Sequence, residues 1–99
     1  MAEHPLKIFE KVDPKLLKVV QDTNNFALAD GALPRKFKLL IAMTLDASHG
    51  AVAGVKSLTQ QAMQAGATKE EVMEALRVAQ YICGAGATYT AAHAFKEIF

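Results

Sequence analysis

The chain has 99 residues, of which 52% are hydrophobic, with 11 Lys or Arg against 10 Asp or Glu and a net charge of +1. This length makes one domain, residues 1–99, and the near-neutral charge gives no electrostatic reason to expect a nucleic acid or an anionic membrane as partner. The lone cysteine, Cys83, rules out a disulfide framework within one chain.

A single cysteine fits a reducing compartment. The amino terminus, Met1 to Lys7, lacks the apolar core of a signal peptide, and no apolar run approaches the ~18 residues of a membrane span. The expectation is a cytoplasmic protein. A chain this short buries roughly 60–65% of the surface its unfolded form exposes. Its hydrophobic share of 52% is nevertheless above the usual ~45–50%. Some helical faces should therefore be buried between subunits of a homo-oligomer.

Residues 1–12 read as a loosely held N-terminal arm, pinned to the body by Ile8, Phe9 and Val12. Asp13-Pro14 is a helix start, a capping carboxylate followed by proline at the first helical position. That helix should run to about Ala29, with Leu16, Leu17, Val20, Ala27 and Leu28 as its apolar stripe and Gly31 ending it. Leu33-Pro34-Arg35 opens a second helix. From Phe37 to Ala47 almost every residue is apolar, Asp46 excepted, so this should be the central helix, buried on nearly all sides by contacts from within the subunit or from a neighbour. Ser48-His49-Gly50 interrupts the pattern, and a third helix follows from about Ala51 to Ala65.

Gly66-Ala67-Thr68-Lys69-Glu70-Glu71 is the most informative run. Gly66 suits a helix end that turns left-handed. Thr68 and Glu71 have the spacing of a capping box, and Glu70 and Glu71 oppose the positive end of the helix dipole. The helix it starts should reach about Ile82, with Val72, Leu76, Ala79 and Cys83 on one face and Glu74 close enough to Arg77 to pair. Gly84-Ala85-Gly86-Ala87 marks a kink, a break or a close crossing. A last helix runs from about Thr88 to Ile98. No period-two alternation or hairpin dipeptide occurs, so the fold class is all-α: a small bundle of about five helices around a central helical hairpin.

Three segments carry a resemblance: Gly31-Ala32-Leu33-x-Arg35-Lys36-x-Lys38-x-Leu40-Ile41-Ala42, then Ala62-x3-Gly66-Ala67-Thr68-x-Glu70-Glu71-Val72-x-Glu74-Ala75-Leu76, then Tyr81-x2-Gly84-x-Gly86. Together they resemble the carboxymuconolactone decarboxylase / alkylhydroperoxidase D-like family over residues 26–95. The resemblance implies a helical fold, a homo-oligomer (a hexamer or trimer) and one of two chemistries, thiol-based peroxide reduction or decarboxylation of a small lactone acid. The thiol branch needs a Cys-x-x-Cys-x3-His run and a glutamate. Counted back from Thr68, the cysteine positions fall on Ala51 and Gly54, the histidine on Leu58 and the glutamate on Leu39. None of these can serve as nucleophile, resolving thiol or base. The resemblance thus implies the fold without the redox centre and points, if the chain is an enzyme, to a cofactor-independent decarboxylase or lyase.

Asp46 and His49 are the candidate catalytic pair. Their i, i+3 spacing puts both on one helix face, where a carboxylate can orient a general acid/base imidazole. The plainer alternative is a histidine favoured at a helix C-terminus by the dipole, with Asp46 as its ion-pair partner. Cys83 reads as a small buried hydrophobe rather than an exposed low-pKa thiol. Tyr89, His93 and Glu97 form a polar stripe or a subunit contact. Met43, Met63 and Met73 read as core filler. His49 and His93 lack metal-motif spacing to one another or to Cys83, so no metal and no cofactor are expected. Two readings remain open: an enzyme for a small carboxylic or lactone ligand, or a non-catalytic oligomer that kept only the scaffold.

Overall fold

A computed structural model describes residues 4–99, so Met1, Ala2 and Glu3 of the expected arm lie outside the described residues. The described chain forms a 3₁₀ turn, Pro5–Ile8, and six α-helices: α1 Phe9–Val12, α2 Pro14–Leu28, α3 Arg35–Ser48, α4 Val52–Gln64, α5 Lys69–Cys83 and α6 Ala85–Phe95. No strand occurs among the described residues. The fold is all-α, and the helix beyond the expected five is the single turn α1. None of these helices is long and apolar enough to cross a membrane.

The helix ends follow from local chemistry. The Asp13 carboxylate accepts from the Leu16 N–H at 3.0 Å, and Pro14 starts α2. Helix α2 ends when Ala29 turns extended, before Gly31 is reached. Asp30 reaches forward to cap α3, accepting from the Arg35 N–H at 2.6 Å, and the Lys38 ammonium donates to the Ala29 carbonyl at 2.7 Å. The ends of α3 and α4 share one device. Gly50 and Gly66 take φ of +75° and +106°, and the next N–H closes back on the helix: Ala51 to the Asp46 carbonyl at 3.0 Å, Ala67 to the Ala62 carbonyl at 2.9 Å. Both are Schellman motifs. Thr68 and Glu71 form the expected capping box, with bonds of 3.1 and 2.8 Å.

The core lies among α3, α4, α5 and α6. Leu39, Met43, Val55 and Val72 are fully buried, and Ala87, Ala91 and Ala94 let α6 approach closely. Thr59 is buried with its hydroxyl unpaired. Met43 sits within the core, while Met63 and Met73 pack against its edge.

The structure corrects several expectations. Within the subunit helix α3 is covered on one side only: it buries Leu39, Leu40, Met43 and Ala47, whereas Phe37, Ile41 and Leu45 are exposed. The arm is helical, and of its three expected pins Ile8 and Val12 are exposed. Cys83 is exposed, because it is the last residue of α5, one turn past Ala79, the last α5 side chain buried in the core. Gly84, at φ +82°, breaks the chain between α5 and α6, and α6 begins at Ala85 rather than Thr88. Glu74 and Arg77 form no ion pair. Lys36 instead pairs with Glu71 at 3.2 Å, tying α3 to α5, and Lys56 pairs with Glu97 at 2.9 Å.

Glu71 is held below its ordinary pKa of 4.5, first by the Thr68 N–H and then by the Lys36 ammonium. A depressed carboxylate adds stability above its ordinary value and loses it as the pH falls through the folded value. Two outcomes follow for thermal unfolding. Thr68→Ala lowers stability by about 1 kcal/mol through loss of the cap. Glu71→Gln, which can still close the box, shrinks the fall in Tm measured between pH 7 and pH values below 4.5.

Candidate functional site

The candidate pair lies where α3 turns into α4. Asp46 sits in the last turn of α3, and its backbone carbonyl accepts from the N–H groups of both His49 and Ala51, at 3.1 and 3.0 Å. A carboxylate in that turn opposes the negative end of the α3 dipole. Its side chain leaves α3 and lies against Gly54, in the first turn of α4, where the dipole favours negative charge. A Cβ on Gly54 would overlap the carboxylate and stand 2.9 Å from its Cγ. A glycine inside a helix costs about 1 kcal/mol against alanine. The absence of a side chain at Gly54 is what lets α4 accept Asp46.

His49 follows α3 as its capping residue and is exposed. No hydrogen bond or ion pair joins its side chain to Asp46. The turn therefore brings a half-buried carboxylate and an accessible imidazole to one corner of the subunit without coupling them directly. Of the four positions that the resemblance assigns to a thiol centre, Ala51 immediately precedes α4, Gly54 seats Asp46, Leu58 is half-buried on α4 and Leu39 is fully buried on α3.

Clefts open elsewhere on the surface, and three of them lie beside the seam between two elements. One of about 250 Å³ lies between the N-terminal turn and α2, lined by His4, Leu6, Glu10, Leu17 and Gln21 among others. A second, of about 220 Å³, runs between α5 and α6 past Met73, Arg77 and Thr88. The third, of about 280 Å³, is an apolar groove between α3 and α5. Asp46 and His49 line none of the three. Among the described residues no three His, Cys, Asp or Glu side chains gather as they would around a metal ion. His93 lies in the last turn of α6, and Glu97 of the same stripe is taken by Lys56.

What sequence reasoning missed is the part Gly54 plays in seating Asp46. Its one signal was a glycine inside an otherwise regular helical pattern, which often marks a close approach.

These features define a class. The model of the carboxymuconolactone decarboxylase family matches residues 14–97, and the chain belongs to that family. It is similar to a carboxymuconolactone decarboxylase family protein from Legionella pneumophila, solved in its apo form, with 34% identity over 93% of this chain and 85% of that one and a TM-score of 0.86. It shares its fold with a carboxymuconolactone decarboxylase predicted in Burkholderia xenovorans, 22% identical over 96% of this chain and 78% of that one, with a TM-score of 0.82. No curated protein matches the chain.

A double-mutant cycle tests the seat of the carboxylate. Asp46→Asn costs roughly 0.3–1 kcal/mol in the native background, as expected for a charge near a helix N-terminus. It costs nothing in a Gly54→Ala background, where the carboxylate has already been displaced. Additive effects on the denaturation midpoint would show that Asp46 and Gly54 are not coupled.

Proposed function

We propose that the chain is a subunit of a homo-oligomeric, cofactor-independent enzyme, acting by acid/base chemistry on a small carboxylic or lactone substrate at the α3–α4 turn. The observation that carries this reading is the placement of the Asp46 carboxylate against Gly54, the position that family resemblance assigns to a redox thiol, with exposed His49 just before it. In this reading a charged group stands at the corner where the resemblance puts a nucleophile. His49 is the proton carrier, and Asp46 adds a carboxylate at the same corner of the subunit. Decarboxylation of a conjugated lactone acid breaks the bond between carbon and carboxylate. Carbon dioxide leaves, the electron pair passes into the lactone carbonyl system, and the His49 imidazolium returns a proton to carbon. The assembly is a trimer or hexamer in a reducing, cytoplasmic setting.

A second reading is a non-catalytic oligomer that kept the scaffold. It is favoured by a specific observation: the Asp46 carboxylate lies against Gly54 and makes no hydrogen bond or ion pair to His49, so Asp46 does not orient the imidazole.

The discriminating measurement is carbon dioxide release from carboxymuconolactone by the purified protein. The enzyme reading expects turnover that His49→Ala lowers by about 10²–10⁴-fold, the usual share of a general acid or base. Because His49 is exposed, Tm and oligomeric mass should stay unchanged. Turnover indifferent to His49→Ala would remove the assigned role, and no turnover of lactone acids would favour the scaffold. Peroxide reduction at the expense of a thiol would contradict both.

A further inference from the structure

Helix α2 is fifteen residues long and buries none of them. Its composition does not explain its order: Val19, Val20, Thr23, Asn24 and Asn25 are weak helix formers, and an isolated helix of this length is marginal in water. One side of it, Leu17, Val20 and Leu28, is half-buried by the rest of the chain. The other side carries Leu16, Val19, Thr23 and Phe26 at helical spacing, all exposed, with Val19 at 61% and Phe26 at 87%. This is the pattern of an amphipathic helix whose groove is missing.

A groove of the required kind lies on the same chain. It runs between α3 and α5, is lined by Phe37, Leu40, Ile41, Thr44, Ala75 and Val78, and contains no charged side chain. Leu45 and Ile82 extend its apolar walls. The stripe on α2 is about 15 Å long, and the α3 wall from Phe37 to Leu45 about 12 Å, at 1.5 Å per residue. Each surface holds one threonine, and each threonine is satisfied within its own helix. Thr23 donates to the Val19 carbonyl at 2.8 Å and Thr44 to the Ile41 carbonyl at 2.6 Å. Neither hydroxyl needs water, so the two faces can close dry.

The exposed area leaves room for a partner over these faces. The chain exposes 6886 Å². A monomeric protein of 10.7 kDa exposes about 5,500 Å². The excess, about 1,400 Å², exceeds the ~800 Å² per partner of a standard interface. The radius of gyration, 14.3 Å, likewise exceeds the ~13 Å of a compact chain of this length.

We infer that α2 of one copy of this chain lies in the α3–α5 groove of another. The inference rests on the homo-oligomer proposed above and adds which surfaces make it. Each copy gives a helix and takes one, burying Phe26 in one direction and Ile41 and Val78 in the other.

Sedimentation and cross-linking test the two parts separately. Phe26→Asp and Ile41→Asp are exposed substitutions, so each should keep the helical circular dichroism while the oligomer dissociates. In a Cys83→Ser background, one batch carries Phe26→Cys and another Ile41→Cys. A short bis-maleimide should link subunits rapidly in the mixture and slowly in either batch alone. Links confined to single batches, or an oligomer unchanged by both aspartates, would overturn the α2-in-groove contact while leaving the assembly standing. A monomeric native protein at micromolar concentration would overturn both the contact and the assembly.

Discussion

Leu39, Leu40, Met43 and Ala47 point from α3 into the core, while Phe37, Ile41 and Leu45 point away from it. Three large apolar side chains in one row on a single helix are costly to leave in water, at about 25 cal/mol for each Å² of apolar surface. The remaining helices are arranged around the inner row: α4 and α6 close over it, α5 is tied beside it by Lys36 and Glu71, and α2 is left outside. The outer row is left uncovered within the subunit, because α4, α5 and α6 turn their apolar faces to the inner one. The assembly proposed above would supply that cover.

The turn after α3 joins fold and chemistry in one residue. The Asp46 main chain closes the Schellman motif that reverses the helix, and its side chain crosses to the first turn of α4 at Gly54. A group built in this way is held by the backbone at one end and by a helix dipole at the other. It is a fixed negative charge rather than a mobile one, and its position is shared with the start of α4. Perturbing it therefore moves structure and electrostatics together, which is why its stability coupling to Gly54 and the activity role proposed for His49 call for different readouts.

Much of the architecture was legible where local chemistry decides the outcome. Asp13-Pro14 and Gly66-Ala67-Thr68 each satisfy backbone groups within a few residues, so the sequence names both partners. The family followed from the same runs. Legibility failed where the outcome depends on a distant neighbour. Periodicity identified an apolar side of α2 and an apolar belt on α3, but not that their outer faces have no partner in the chain. Cys83 fell on the buried face by spacing and is exposed, because Gly84 ends α5 and turns the chain away before α6 begins. Helix α6 started three residues early because alanine and glycine carry almost no pattern. At the site, the i, i+3 spacing of Asp46 and His49 was correct as helical geometry. It said nothing of the better place for a carboxylate that α4 supplies.

If the folded subunit requires its neighbours, its stability must depend on how many of them are present. Thermal unfolding over a roughly hundredfold range of protein concentration tests this directly. The account predicts a Tm that climbs by several degrees with concentration, since dissociation is then part of unfolding. A Tm that stays constant across the whole range, from a sample that sediments as a single chain, would contradict it.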